Sequence, residues 1–142
     1  MDTGEVRKRL LQAIEQARRT AAAHRAEADL ASRQYEAFLE TAAAPVFRQV
    51  SAALKAEGHA FQVYTPAGSV RLASDRSADD FVELALDTAR SPVALIARTN
   101  LARGRRVVTS ERVIHEGPDL ERVTDERVLA VLLEEVVPMI TR

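Results

Sequence analysis

Three histidines, at positions 24, 59 and 115, are the first side chains to weigh for metal ligation or proton transfer. None stands in an HxxxH or HExxH spacing. A zinc site would therefore need them to meet carboxylates across the fold. His59 follows a glycine in a loop context, and His115 lies near the end of a strand-like run. The carboxylate pairs Asp79-Asp80 and Glu134-Glu135 are adjacent in sequence, so their side chains diverge on a helix or a strand alike. Without a third partner they are poor acid–base pairs. No serine lies in a GxSxG elbow. The five glycines (4, 58, 68, 104 and 117) form neither GxGxxG nor GxxxxGK[ST]. There is no cysteine, which removes thiolate metal sites, disulfides and a cysteine nucleophile. No catalytic constellation, metal site or cofactor motif emerges, and the expectation is a protein that is not an enzyme. An enzyme here would depend on a pocket that no linear motif announces.

One cluster has chemical character. Arg103, Arg105 and Arg106 surround Gly104 at a predicted strand turn, with Arg98 and Arg112 on the flanking strands. Guanidinium groups gathered at a hairpin tip can grip phosphates or carboxylates bidentately. A nucleic-acid site would use them as its electrostatic footprint. The whole chain nevertheless carries a net charge of −1. No aromatic residue is interleaved with these arginines for base stacking. Nucleic acid is thus the weaker version of an anionic-partner reading.

The charge is segregated. From Arg90 to His115 six arginines face one glutamate, a local +5. From Glu116 to Glu135 seven acids face two arginines, a local −5. Such blocks can neutralise each other in the fold or show different faces to partners.

The elements that must position these residues begin with a long helix, from about residue 3 to 43. Residues 5–44 contain no Gly or Pro and are dominated by strong helix formers. Ile14, Ala17, Ala21, His24, Ala28, Ala31, Tyr35, Phe38 and Ala42 recur at spacings of 3 and 4, a heptad seam four heptads long. Its middle is Ala, Ala, His, Ala, Ala, which permits close approach of a neighbour but buries little area. A polar residue such as His24 on a seam can fix register or make assembly pH-sensitive. A helix of some 40 residues spans about 60 Å, far more than a domain built from the remainder. Projection and pairing with another chain is the expected outcome.

Pro45 suits a new helix or a kink, and a second helix is expected from 45 to 57, capped by Gly58. The pattern then turns to period two. Strands are expected at 60–65, 69–74, 81–87, 93–98 and 105–115, the third preferred over a helix. Gly117-Pro118 ends the sheet. Thr124 caps a closing helix with Val128, Leu129, Leu132, Leu133, Val136 and Val137 on a broad apolar stripe facing the sheet, ending near Pro138.

The expected architecture is α+β: a long heptad-patterned helix (1–44), then an α+β domain (45–142) of one helix, a five-stranded antiparallel sheet and a C-terminal helix. No signal-peptide pattern and no run of 18 apolar residues is present, so a cytoplasmic location without membrane contact is expected. The abundance of Ala, Arg and Val suits a bacterium with a GC-rich genome. The functional expectation is a non-catalytic interaction module, a homo-oligomer or the dock for a helical protein partner. The alternative is a small anionic-ligand or nucleic-acid-binding domain using the arginine hairpin.

Overall fold

A computed structural model describes residues 1–141. Helix α1 (Thr3–Phe38), a π-helical segment (Leu39–Ala43) and α2 (Ala44–Ala56) follow one another without a loop. Together they form a rod about 80 Å long at 1.5 Å per residue. The Asp2 carboxylate starts it by accepting the Glu5 N–H at 2.7 Å. Pro45 explains the π segment. A proline inside a regular helix lacks a donor and presses its ring on the carbonyl four residues back, here that of Thr41. Widening the preceding turn relieves that crowding, and the Ala44 N–H reaches back five residues to Leu39. The Thr41 hydroxyl donates to the Ala37 carbonyl at 2.7 Å. The chain thus absorbs Pro45 within a continuous rod. Gly58 ends α2 at φ 88°, and the His59 N–H closes on the Leu54 carbonyl at 2.8 Å.

Five strands follow: β1 (Phe61–Tyr64), β2 (Ser69–Ser74), β3 (Phe81–Asp87), β4 (Ala94–Arg103) and β5 (Arg106–Glu116). They pair antiparallel in sequence order, a meander with β1 and β5 at its edges. Residues 81–87 are a strand, as their alternation predicts. A 3-10 turn (Leu120–Arg122) leads to α3 (Asp125–Ile140), whose Thr124 cap accepts the Arg127 N–H at 3.1 Å. Pro138 lies inside the last turn of α3, which runs two residues beyond the expected end.

Helices α2 and α3 cover one face of the sheet. Phe47, Val50 and Leu54 meet Val70, Leu72, Val82, Leu84 and Leu95 from the strands and Val128, Leu132 and Val136 from α3. The expected stripe on α3 divides. Val128, Leu132 and Val136 are buried, whereas Leu129, Leu133 and Val137 are 39–44% exposed. Apolar residues at consecutive positions span too wide an arc for one contact face. β4 is buried on both faces from Ala94 to Ala97. Asp80 is also buried, and its carboxylate accepts the Ala102 N–H at 2.8 Å, tying the β2–β3 loop to β4.

Candidate functional site

The heptad seam serves two surfaces. Ala31, Tyr35 and Phe38 are buried in the chain's own core. His24 and Ala28 are half-buried where the rod meets the body. Ile14, Ala17 and Ala21 are exposed. The body therefore claims α1 from about residue 24 onward, and the core reaches into residues 1–44 well before Pro45.

Four side chains fasten this inner part, each to a backbone group of a loop. His24 Nε2 lies 2.9 Å from the Arg90 carbonyl, and Glu27 Oε1 accepts the Val93 N–H at 2.9 Å. Gln34 Oε1 accepts the Leu120 N–H at 2.9 Å. The Tyr35 hydroxyl donates to the Gly68 carbonyl at 2.7 Å. Burial, and then the nearby Glu83 carboxylate, push the Tyr35 phenol above its usual titration range.

Before residue 24 the rod stands clear. Residues 1–23 are exposed apart from Glu5. Val6, Leu10, Leu11 and Ile14 are 39–57% exposed, an unusual density of large apolar side chains on a surface helix. Two i,i+4 ion pairs, Glu5–Arg9 at 3.1 Å and Glu15–Arg19 at 3.4 Å, support this stretch from within. At its base Ala13, Ala17 and Ala21 overhang Ala89 and Ser91 of the β3–β4 loop and leave an open cleft there.

The arginines divide as well. Arg98 pairs across the sheet with Glu111, and Arg112 with Ala97 one position along, so the two stand on opposite faces. Arg98 Nε bonds Glu111 at 3.1 Å, and Arg90 bonds the other oxygen of the same carboxylate. Those two hydrogen bonds, Arg90's first, hold Glu111 below the usual carboxylate range. Arg112 meets Glu134 at 2.6 Å and Glu135 at 3.2 Å, joining the basic and acidic blocks. Only Arg103, Arg105 and Arg106 remain at the hairpin tip, exposed around Gly104 at φ 62°.

No family model matches the chain, and comparison with curated proteins and with solved structures finds no match for it. The site must be read from its own geometry.

That geometry keeps the three histidines apart from one another. His115 Nε2 lies 2.8 Å from Asp119, whose carboxyl is held low by that contact first. His24, on α1, meets the Arg90 backbone carbonyl of the β3–β4 loop, and His59 lies near the end of α2. Among the described residues no group of three or more His, Asp and Glu is placed to hold a metal ion. No described helix is long and apolar enough to cross a membrane.

Sequence reasoning missed three features. Glu27 and Gln34 are anchors, but their partners lie 66 and 86 residues away. An apolar groove of about 400 Å³ runs between α2 and α3, past Ala53, Leu54, Glu57, Leu129 and Leu133. The doubled apolar positions on α3 were its signal.

Proposed function

We propose that this chain is a non-catalytic interaction module that assembles through the projecting part of its N-terminal helix, with a second copy or with a helical protein partner. The observation that carries the reading is the exposure of Val6, Leu10, Leu11 and Ile14 on a helix that extends beyond its own body. Most helical stability in proteins comes from packing an amphipathic face, and this projecting stretch has its apolar face unpacked. The small residues at Ala13, Ala17 and Ala21 permit close approach by another backbone. Assembly by this route would place the contact as a short coiled-coil-like pairing.

The alternative, an anionic-ligand site on the arginine hairpin, is left with three of its five arginines. Arg98 and Arg112 are committed to Glu111, Glu134 and Glu135. It predicts salt-dependent binding lost on reversing Arg105 and Arg106.

Light scattering after size exclusion tests the main reading. The intact chain is expected to run as a dimer or higher oligomer, and a chain lacking residues 1–22 as a folded monomer. An intact chain that is monomeric at every concentration would turn attention to a foreign helix as partner. A shortened chain that still assembles would move the contact off the helix.

A further inference from the structure

The exposed tip of α1 and the groove between α2 and α3 match in hydropathy and charge. The groove is apolar along its floor, where Leu129 and Leu133 stand 39% and 44% exposed. Val137 continues the same line one turn on, at 44%. Glu57 stands on the α2 side of the groove. Glu126 lies one turn before Leu129 on α3. Among the described residues neither acid is held in an ion pair. The tip presents the complement. Val6, Leu10 and Ile14 recur at i, i+4 and i+8, the anchor spacing of a helix lying in a groove. Residues 1–26 hold six basic side chains against three acidic, a local +3, while the whole chain is −1. The body that carries the groove is therefore −4.

A single molecule cannot bring the two surfaces together. Leu10 and Val50 lie on one rod, forty residues apart, which is about 60 Å. Nothing between them folds back: the rod is helical throughout, including the π segment.

We infer that the α2–α3 groove is the receptor for the N-terminal helix tip of a second copy of this chain. This rests on the reading above that the helix tip mediates assembly, and adds where it binds. Two rods lying antiparallel would each place a tip on the other's groove. The two contacts are then related by one twofold axis, so the assembly closes as a dimer rather than growing. The basic tip meets the acidic body at both ends, an arrangement that also disfavours two basic tips lying side by side.

Because the chain has no cysteine, crosslinking can be placed at will. Leu10→Cys and Leu133→Cys are introduced into separate full-length chains of distinguishable mass, both at exposed positions. The two are mixed and mildly oxidised. A disulfide joining one chain of each kind, in preference to like-with-like links, is the expected result. Glu57→Lys with Glu126→Lys in the Leu133→Cys chain should reduce that link at least several-fold. Links predominantly between two Leu10→Cys chains, in a protein of dimeric mass, would overturn the groove and leave helix-mediated assembly standing. A monomeric mass with no link of either kind would overturn the groove and self-assembly alike, and leave only a foreign helix as partner for the tip.

Discussion

The Tyr35 hydroxyl on α1 and the Gly68 carbonyl before β2 are 2.7 Å apart. The same hydroxyl lies 3.4 Å from the Leu84 carbonyl. The phenol's one O–H donates to Gly68, with Leu84 at the edge of reach, and so ties the rod to the turn before β2. Tyr35→Phe keeps the ring and leaves the Gly68 carbonyl short of that donor. A loss of about 1–2 kcal/mol in unfolding free energy is expected. Tyr35→Ala adds a cavity and should cost about 3–5 kcal/mol. Urea titrations of the two variants check both figures, and an unchanged stability in Tyr35→Phe would refute a role for the hydroxyl.

Truncation separates the two halves of the helix. Removing residues 1–22 takes no buried side chain and should leave the body folded, its melting temperature lowered only by the loss of assembly. Removing residues 1–44 takes Ala31, Tyr35, Phe38 and Ala43 out of the core. That chain should fail to fold cooperatively. A cooperative melt from it would mean that the core is smaller than the packing implies.

Acid should weaken the fold through named pairs. Glu111 is held low by Arg90 and Arg98, Glu134 by Arg112, and Asp119 first by His115. A carboxyl whose folded value lies below its unfolded one stabilises the fold above the unfolded value, near pH 4. That contribution is lost as pH falls through the folded value. Urea midpoints measured from pH 7 to pH 3 should therefore drop below about pH 4. Glu111→Gln should flatten the drop, and an unchanged slope would count against the Arg90–Glu111–Arg98 bridge.

Alkali acts through Tyr35 in the opposite sense. Its folded value is raised, so the neutral phenol's contribution is complete below the unfolded value, near pH 10, and is lost as pH climbs beyond it. Tyr35→Phe should remove that part of the alkaline fall, which a denaturation series from pH 8 to 11 would register.

Asp80→Ala should be costly for a surface-loop residue. It leaves the Ala102 N–H without its carboxylate acceptor in a part-buried site, a loss of about 1–3 kcal/mol. Asp79→Ala, one position away and exposed, should change stability by no more than about 0.5 kcal/mol. The difference between the two urea midpoints is the test.

Local pattern carried most of the architecture. The alternation of Val82, Leu84 and Leu86 marks β3, Thr124 marks the start of α3, and Gly58 marks the end of α2. Each signal depends on neighbours a few residues away. Long-range contacts were out of reach. Whether Ala31 faces the body or a partner depends on loops some 60 residues further on. The seam therefore read as one surface although the body takes half of it. Arg98 and Arg112 flank one turn in the sequence, but the hairpin register sets Arg98 opposite Glu111 and Arg112 opposite Ala97, which puts the two on different faces. The buried role of Asp80 is not legible locally, because the Ala102 N–H that it accepts comes from the next hairpin.

Among the described residues no strand lies beyond β5, an edge strand of eleven residues. Val107 and Val108 on it are 46% and 47% exposed. Such an edge is a template for a stranger's sheet, and charged side chains are the usual guard against that. Arg105, in the turn, and Arg106, the first residue of the strand, precede the two valines. Charge at that end disfavours the stacking of one such edge on another. Neutralising both should turn a clear solution turbid on warming, well below the temperature at which the helices melt.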